Sequence, residues 1–304
     1  MISVYITSFN KQNYLSQAIQ SVLDQSLQPH EIIIIDDASS DSSKDIITGF
    51  KSRYPDIIKT IFNERNHGIS KTRNVAISHC SGDIITFVDA DDYYFPRKIE
   101  IEMKKLKDGN YGCVYSNHVF IDEFGHENGL FSNDGDQPAE GNIFKENFSR
   151  SFRVSSGANF HNEMLYKSCA QDIGLYDDKI MIWEDWDFRI RMSKKYHFGY
   201  CPEVNSAYRK LVSGLHNSGT ELHYHEQIKI YNKNKPLIQD LKEEEKSHIH
   251  NRVYSKIKVL FIQVMEKNIH SKYFFRTIYY CIHFILTFKT RKSISVALRV
   301  LNKG

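Results

Sequence analysis

The sequence predicts an α/β fold with a mixed, mainly parallel sheet flanked by helices, followed by a C-terminal helical extension. Two observations lead to this prediction. In the first half of the chain, short β-branched runs alternate with helical apolar stripes, an order typical of parallel strands joined by crossover helices. Beyond residue 219 the apolar residues follow a helical period, so we place one domain at 1–219 and a helical extension at 220–304.

The elements of the first half can be assigned in order. Strands are predicted at residues 2–7, 31–35, 60–63 and 83–88, and helices at 15–23, from about 39, and at 69–79. The second and fourth strands are continuous apolar runs, which indicates burial on both faces of the sheet. Shorter pieces follow: strands at 113–116 and 118–121, a polar loop at 122–141 and a helix that starts in the acidic run 183–187. We expect these later strands to add antiparallel neighbours to the sheet.

The composition is that of a globular protein. The 304 residues are 41% apolar and 25% charged, and 13% are aromatic. This composition excludes collagen-like, low-complexity and disordered chains, because so many aromatic side chains require a core. The five cysteines lack the CxxC or CxH spacing of a zinc site, and their odd number does not suggest a disulfide framework. We therefore expect a reducing compartment.

The net charge of +3 conceals a basic tail. Residues 247–304 hold eleven Lys and Arg against one acid, Glu266, which gives this segment +10 and leaves −7 for the rest. The chain opens on an apolar strand without the features of a secretory signal. The longest uncharged stretch of the aromatic tail, residues 277–288, is shorter than the roughly 20 residues that cross a bilayer. We expect a cytoplasmic protein with no membrane span.

Two predicted buried strands end in paired acidic residues. One is followed by Asp36 and Asp37, the other by Asp89 and Asp91. Carboxyl ends of parallel strands share one crevice, where ligands bind. If the strand geometry continues to Asp91, its side chain and that of Asp89 point the same way and favour a hard cation, Mg²⁺ or Mn²⁺, with open positions for phosphate oxygens. A turn or a helix cap would explain either pair taken alone.

Two further clusters are candidates for ligand contact. Lys71 and Arg73 lie on a predicted helix that leads back to the sheet, where they could meet a phosphate; a solvated helix face is the alternative. Trp183 and Trp186 flank two acids, a combination that stacks on sugar rings and accepts a hydroxyl proton. An acidic first helical turn with core tryptophans explains the same residues equally well.

Several well-known motifs are absent from the sequence. No GxGxxG follows a strand, and neither GxxxxGK[ST], GxSxG nor HExxH occurs. A dinucleotide oxidoreductase and a P-loop kinase are therefore poorly supported. A nucleotide held by carboxylates and a metal ion is what remains.

Three segments occur in an order and spacing that we know from one family. They are SVYITSFNKQNYLSQAIQSVLDQSLQPHEIIIIDDASSD, NERNHGISKTRNVAISHCSGDIITFVDADD and WEDWDFRIRM. Together they resemble the inverting nucleotide-sugar glycosyltransferases of family two, whose fold is called GT-A. The resemblance covers about residues 1–212 and implies a sheet with a Rossmann-like nucleotide-binding half. It also implies a hexosyltransferase that uses a nucleotide sugar, with uridine as the usual nucleoside.

The resemblance implies roles for single residues. The region of Thr7 and the carboxylate of Asp37 hold the nucleoside in that family, and Arg73 lies by the base and phosphates. Asp89 contacts the ribose, and Asp91 holds the metal ion, Mg²⁺ or Mn²⁺.

The third segment supplies the expected general base. By the same resemblance this is Asp185, with Trp183 and Glu184 beside it as candidates for substrate binding. Many members have a His directly after the YRK run, whereas this chain has Leu211 there and His216 further on, so a metal contact by His216 stays open. The QxxRW signature of processive synthases is missing, which indicates an enzyme that adds one or a few sugars.

The expected reaction is metal-dependent, inverting transfer of a sugar from a UDP-sugar to a hydroxyl of a saccharide acceptor. By analogy we expect a lipid-linked saccharide of bacterial surface-polysaccharide assembly. The alternative is a nucleotide-sugar-binding module without turnover.

The basic tail allows three interpretations. Its apolar residues suit a helix that lies on an anionic membrane surface, which would place the enzyme at the inner face of the cytoplasmic membrane. Alternatively, these stripes pack on the catalytic domain or on a second subunit of a homo-oligomer. Nucleic-acid binding has no recognisable motif and is not expected. The residues concerned are Phe274, Phe275, Ile278, Tyr279, Ile282, Phe284, Ile285, Leu286 and Phe288, beside Lys272, Arg276, Lys289, Arg291 and Lys292.

Overall fold

A computed structural model describes residues 1–211, 219–269 and 274–301. The chain divides into two compact units, one of Met1–Asn147 with Ser151–Ser213 and one of Phe148–Arg150 with Gly214–Gly304. The boundary that we place at residue 219 stays a prediction.

The first unit is built on a mixed sheet, which has nine strands in the described part of the chain. They are β1 Ile2–Ser8, β2 Glu31–Asp36, β3 Ile58–Phe62, β4 Ile84–Asp89, β5 Tyr93–Tyr94, β6 Cys113–Ile121, β7 Glu127–Leu130, β8 Met164–Tyr166 and β9 Phe198–Arg209. The strand order is β3-β2-β1-β4-β8-β6-β9-β5, with β7 beside β6. β3, β2, β1 and β4 are parallel, β8 is antiparallel to both of its neighbours, and β9 is parallel to β6.

Helices lie between the strands and make up most of the second unit. Those described are α1 Leu15–Leu23, α2 Ser43–Arg53, α3 Ile69–His79, α4 Lys98–Asp108, α5 Phe144–Ser149, α6 Lys167–Asp172, α7 Glu184–Lys195, α8 Thr220–Asn234, α9 Glu243–Ile269, α10 Phe274–Phe288 and α11 Arg291–Leu301. The predicted mixed, mainly parallel sheet with flanking helices and a C-terminal helical region is confirmed.

Side chains alternate between the two faces of the central strands, so each face has its own core. Val4 and Ile6 of β1 pack in one cluster with Leu15 of α1. Tyr5, between them in sequence, belongs to the opposite cluster, where its ring stacks on Phe87 with centroids 5.4 Å apart. This alternation follows from the two-residue period of a strand.

The sequence prediction needs two corrections beyond residue 112. The strands predicted at 113–116 and 118–121 form one strand, β6, whose pairing with β9 shifts register between Ser116 and His118. The loop predicted at 122–141 contains the short strand β7, which pairs with β6. Glu127 and the following residues of β7 are mostly exposed, so β7 lacks the apolar pattern that would have revealed it.

The second unit has an aromatic core. Phe284 of α10 stacks on Phe261 of α9 with ring centroids 4.4 Å apart, and Phe288 stacks on Tyr231 of α8 at 5.5 Å. One interpretation of the sequence placed Phe284 and Phe288 on a membrane-facing side of the helix. Both side chains are buried, so they do not face a membrane. In the ranges that the structure describes, no helix is both long and apolar enough to cross a bilayer.

Candidate active site

The parallel strands bring Thr7 and Asp89 together at the carboxyl edge of the sheet. β4 is a direct neighbour of β1, and its Asp89 is in register with Thr7. The Thr7 hydroxyl lies 3.4 Å from Oδ1 of Asp89. On the other side of β1, Ser8 is in register with Asp36, the last residue of β2. The ends of the two acidic strands are therefore separated by one strand only.

The guanidinium group of Arg73 connects two of the sequence motifs. Arg73 lies on α3 and is buried, with its guanidinium carbon 4.6 Å from the centroid of the Phe87 ring. Nη2 donates to both carboxylate oxygens of Asp89, at 2.9 and 3.1 Å. Nη1 donates to Oε1 of Glu184 at 2.8 Å. Charge-assisted bonds of this kind are short and directional, so Arg73 fixes the end of β4 relative to the start of α7.

The carboxylate of Asp37 organises the loop before α3. Oδ1 accepts hydrogen bonds from Nδ2 of Asn63 at 2.7 Å and from the backbone N–H of His67 at 2.9 Å. Oδ2 accepts the N–H of Gly68 at 2.9 Å, and Gly68 has a φ of 83° that side chains rarely allow. A carboxylate has about four lone-pair sites. Three are used here, which leaves capacity for one donor from a ligand.

The chain leaves the sheet directly after Asp89. β4 ends at that residue, and the N–H of Asp92 donates to the carbonyl of Asp89 at 2.9 Å to close a turn. The condition for Asp89 and Asp91 to point the same way, a continuing strand, is thus not met. Each carboxylate has its own cation: Asp89 pairs with Arg73, and Oδ2 of Asp91 accepts a 2.6 Å bond from Nζ of Lys11.

Asp92 holds this turn in place. Its Oδ1 accepts the N–H of Arg209 at 2.7 Å, and Nε of Arg209 donates to the carbonyl of Asp91 at 2.9 Å. Burial raises the pKa of Asp92 well above its ordinary value, and the neighbouring charges of Asp91 and Asp89 add to the shift. Asp92 is therefore a structural residue of the turn, and Asp91 remains partly exposed beside it.

α7 begins directly after Trp183, whose backbone has a φ of 65° and a ψ of 23°. This left-handed conformation is rare for a bulky residue, and such strain concentrates at functional sites. The Trp183 carbonyl accepts the N–H of Trp186 at 3.1 Å. Trp186 is buried, and its Nε1 donates to the carbonyl of Asn147 at 2.8 Å, which makes it a core residue. Trp183 is half-buried. Its role as a sugar contact stays a prediction.

Both oxygens of Asp185 are engaged. Oδ1 accepts the backbone N–H of Trp186 at 2.8 Å, and Oδ2 accepts Nη1 of Arg189 at 2.7 Å. Arg189 also donates to both oxygens of Glu163, at 3.0 and 2.8 Å. The side chains of Arg189 and Glu163 are 3% and 1% exposed, against 18% for Asp185. Asp185 is thus the accessible end of a buried ionic network.

The two adjacent acids at the start of α7 differ in their titration. Burial raises the pKa of Glu184 to about 7, against the positive charge of Arg73. Burial acts on Asp185 in the same direction, but the charges of Arg189 and Arg73, together with the N–H of Trp186, outweigh it and lower the pKa of Asp185. At neutral pH Asp185 is ionised and can accept a proton.

The turn after β4 fits a hard divalent cation, to which it offers one protein carboxylate, that of Asp91. Mg²⁺ prefers oxygen ligands and is commonly held by one or two carboxylates plus substrate phosphates, a pattern that Asp91 matches. In the described part of the chain, no three His, Cys, Asp or Glu side chains form a metal-ligand cluster. Since Nζ of Lys11 already neutralises Asp91, a metal ion would have to displace it.

Hydrogen bonds join four predicted site residues into one network: Thr7, Asp89, Arg73 and Glu184. Asp185 follows directly in sequence, whereas Asp37 and Asp91 bond to groups outside this network. His216 lies outside the described residues.

Three members of the surrounding ionic network escape the sequence analysis, namely Lys11, Glu163 and Arg189. The four-residue spacing of Asp185 and Arg189 on a predicted helix is a signal that could have found that pair. Lys11 and its partner Asp91 are 80 residues apart, and Glu163 and Arg189 are 26 apart. No local pattern reports pairs of such separation.

A model of the family described as "Glycosyl transferase family 2" matches residues 3–212. The chain belongs to glycosyl transferase family 2. The match includes Thr7 of β1 and all strands and helices described from α1 to β9, and therefore every candidate site residue of this subsection. The sequence resemblance to this family is confirmed.

Curated relatives of this family 2 protein match only part of the chain. "Putative glycosyltransferase EpsE" of Bacillus subtilis is 36% identical over 125 residues, 41% of this chain and 45% of EpsE. Chondroitin synthase of Pasteurella multocida is 26% identical over 219 residues, 72% of this chain and 21% of that enzyme. The matches thus span less than half the length of these two relatives.

Solved structures share the fold of this family 2 protein. S. aureus TarS 1-349 in complex with UDP-GlcNAc has a TM-score of 0.64 at 17% identity, covering 84% of this chain and 70% of that one. The mannosyltransferase PcManGT from Pyrobaculum calidifontis, in complex with GDP-Man and Mn²⁺, has a TM-score of 0.59 at 12% identity and covers 99% of this chain and 84% of that one. The GT-A type of sheet is therefore shown for this chain.

Proposed function

We propose that this protein is a metal-dependent, inverting hexosyltransferase that moves a sugar from a UDP-sugar to a hydroxyl of a saccharide acceptor. The observation that carries the proposal is the bridge from Asp89 through Arg73 to Glu184, with Asp185 next in sequence. Since the resemblance assigns the nucleotide side to Asp89 and the base to Asp185, this bridge supports a donor and an acceptor bound side by side.

Uridine is the proposed nucleoside. The TarS structure was determined with UDP-GlcNAc, and PcManGT with GDP-Man, so both bases occur on this fold. The free lone-pair capacity of Asp37 suits one ring N–H of a nucleobase. Thr7 and Asp89 lie together at the sheet edge, where we place the ribose.

Asp91 is the proposed ligand of Mg²⁺ or Mn²⁺. When bound, the ion would supply positive charge to neutralise the leaving nucleoside diphosphate. The buried guanidinium of Arg73 holds the carboxylate of Asp89, two residues before Asp91. Lys11, displaced from Asp91, would be available to the diphosphate as a second cation.

Asp185 is the proposed general base. It takes the proton of the acceptor hydroxyl, whose oxygen forms a bond to the anomeric carbon while the bond from that carbon to the diphosphate breaks. The nucleoside diphosphate leaves with the electron pair of that bond. One displacement of this kind inverts the anomeric configuration. Asp187, the third acid in the first turn of α7, is fully buried and paired with Arg191 at 2.8 Å, so it is a structural residue.

We propose a saccharide of surface-polysaccharide assembly as the acceptor, carried by a lipid at an anionic membrane. The relation to a chondroitin synthase, a polysaccharide-forming enzyme by name, supports the saccharide. The basic tail supports the membrane.

A panel of UDP- and GDP-sugars, assayed for nucleotide release with and without Mn²⁺, tests the proposal. We expect metal-dependent release of UDP from one of the UDP-sugars. Asp91→Asn should lose most metal-dependent affinity for UDP, because one anionic ligand is removed. Asp134→Asn, at an exposed carboxylate in a loop, is the matched control and should behave as wild type. Tight UDP-sugar binding without release, even with saccharide acceptors, would instead indicate a binding module.

A further inference from the structure

α10 has apolar side chains on two of its sides, and only one of these sides packs within the second unit. Tyr280, Phe284 and Phe288 are buried among aromatic rings of α8 and α9. Tyr279, Ile282 and Leu286 are 54%, 51% and 60% exposed. They are three and four residues apart, so they lie along one side of the helix.

α11 continues the same pattern. Ser293 and Ala297 are buried, and the carbonyl of Ala297 lies 3.9 Å from Sγ of Cys281 on α10, which packs the two helices together. Ile294 and Leu298, one turn apart, are 43% and 52% exposed. We call the five exposed residues Tyr279, Ile282, Leu286, Ile294 and Leu298 the α10–α11 stripes.

The charges that α10 and α11 themselves carry are all of one sign. Residues 274–301 hold five Lys and Arg and no Asp or Glu. Lys289, Arg291, Lys292 and Arg299 among them are exposed. Apolar residues rimmed by positive charge are the two signals that together hold a helix at the interface of an anionic bilayer.

We propose that the α10–α11 stripes dock on the surface of an anionic membrane. The apolar side chains enter the boundary between headgroups and acyl chains, where the ring of Tyr279 is also favoured. The four exposed basic side chains contact lipid phosphates. The purpose of this membrane contact rests on the proposed function, because a lipid-linked acceptor would be bound at the membrane.

Charge and length favour a membrane surface over other occupants. A second copy in a two-fold dimer would bring α10 and α11 of each copy, which carry only basic charges, against each other, and like-charge repulsion disfavours this. A helix of 15 residues is about 22 Å long, which is shorter than the roughly 30 Å hydrocarbon core. α10 can therefore lie in the interface but cannot span the hydrocarbon core.

Sedimentation of the full-length chain with vesicles tests the proposal. Vesicles of phosphatidylcholine with 30% phosphatidylglycerol, about one third anionic as in a strongly charged leaflet, are compared with pure phosphatidylcholine. We expect binding to the anionic vesicles only. The double variant Ile282→Ser with Leu286→Ser should bind at least about tenfold more weakly, because two inserted side chains are lost. Replacing Lys289, Arg291 and Lys292 with Gln should weaken binding by about fivefold per charge.

Val259→Ser is the matched control. Val259 is 54% exposed on α9, outside the α10–α11 stripes, and its replacement should leave vesicle binding unchanged. All substituted residues are exposed, and a thermal unfolding profile like that of wild type verifies that each variant folds.

Three results would overturn the proposal. They are equal binding to neutral and anionic vesicles, unchanged binding by the double variant, and loss of a dimer in that variant without any vesicle binding by wild type. The last result would assign the α10–α11 stripes to a second copy. Because vesicle binding is measured without donor or acceptor, its failure is distinguishable from a failure of sugar transfer.

Discussion

The carboxylate of Asp185 accepts a 2.7 Å hydrogen bond from Arg189, one helical turn further along α7. The same guanidinium holds the buried Glu163 through two bonds. This arrangement fixes the candidate base in position and lowers its pKa. A lower pKa makes Asp185 a weaker base but keeps it ionised at physiological pH. The buried network therefore supplies position and charge state at the expense of basicity.

Stability should depend strongly on the Arg189–Glu163 pair. Arg189→Met should lower the free energy of unfolding by roughly 3–5 kcal/mol, because it leaves Glu163 buried without a partner. The double variant Glu163→Met with Arg189→Met should recover most of this loss, since apolar groups of similar volume replace the buried pair. Urea unfolding at pH 7 measures both. A double variant less stable than Arg189→Met would contradict the predicted coupling.

The raised pKa of Glu184 predicts a stability change with pH. Its pKa is about 7 in the folded protein, against an ordinary value of 4.5, so the folded state binds this proton more tightly than the unfolded chain. The resulting stabilisation is present below pH 4.5 and is lost as pH rises through 7. Glu184→Gln cannot titrate and should lack this loss, which is on the order of 3 kcal/mol.

The difference in unfolding free energy between wild type and Glu184→Gln should therefore change between pH 5 and pH 8. Other groups titrate in both proteins alike and cancel in this difference. A difference that stays constant over this range would show that Glu184 titrates near its ordinary value.

Much of the fold follows from the sequence because local patterns encode it. The stripe of Leu15, Ala18, Ile19 and Val22 is buried on α1, and the runs before Asp37 and Asp89 are central strands. β7 and the joining of β6 into one strand depend on pairing with distant strands, which no local period records. These elements are set by tertiary contacts.

The candidate site shows the same division. The acids at strand ends are visible in the sequence, since their position follows from parallel topology. The sequence does not show which basic side chain pairs with each acid. Arg73 and Lys11 reach Asp89 and Asp91 from different parts of the chain. The left-handed backbone of Trp183 is likewise a feature of the folded chain only.

Lys11 should compete with a metal ion for Asp91. Lys11→Met removes the 2.6 Å ion pair and should raise the affinity of the nucleotide-free protein for Mn²⁺ by up to about fivefold, as expected for a partly exposed pair. Titration of Mn²⁺ followed by electron paramagnetic resonance measures this without catalysis. Lys107→Met removes the same charge at an exposed site on α4 and is the control. Equal affinities of the two variants would mean that Lys11 does not occupy the metal position.

Asp185→Asn is the sharpest test of the proposed base, because it keeps the size of the side chain but cannot take up the acceptor proton. Sugar transfer from the UDP-sugar identified in the panel is measured alongside calorimetric binding of UDP with Mn²⁺. We expect transfer to fall by roughly 10²–10⁴-fold while nucleotide affinity stays near that of wild type. Transfer within a few fold of wild type would show that Asp185 is not the base and leave it as a residue of the helix start, with Glu184 as the candidate base.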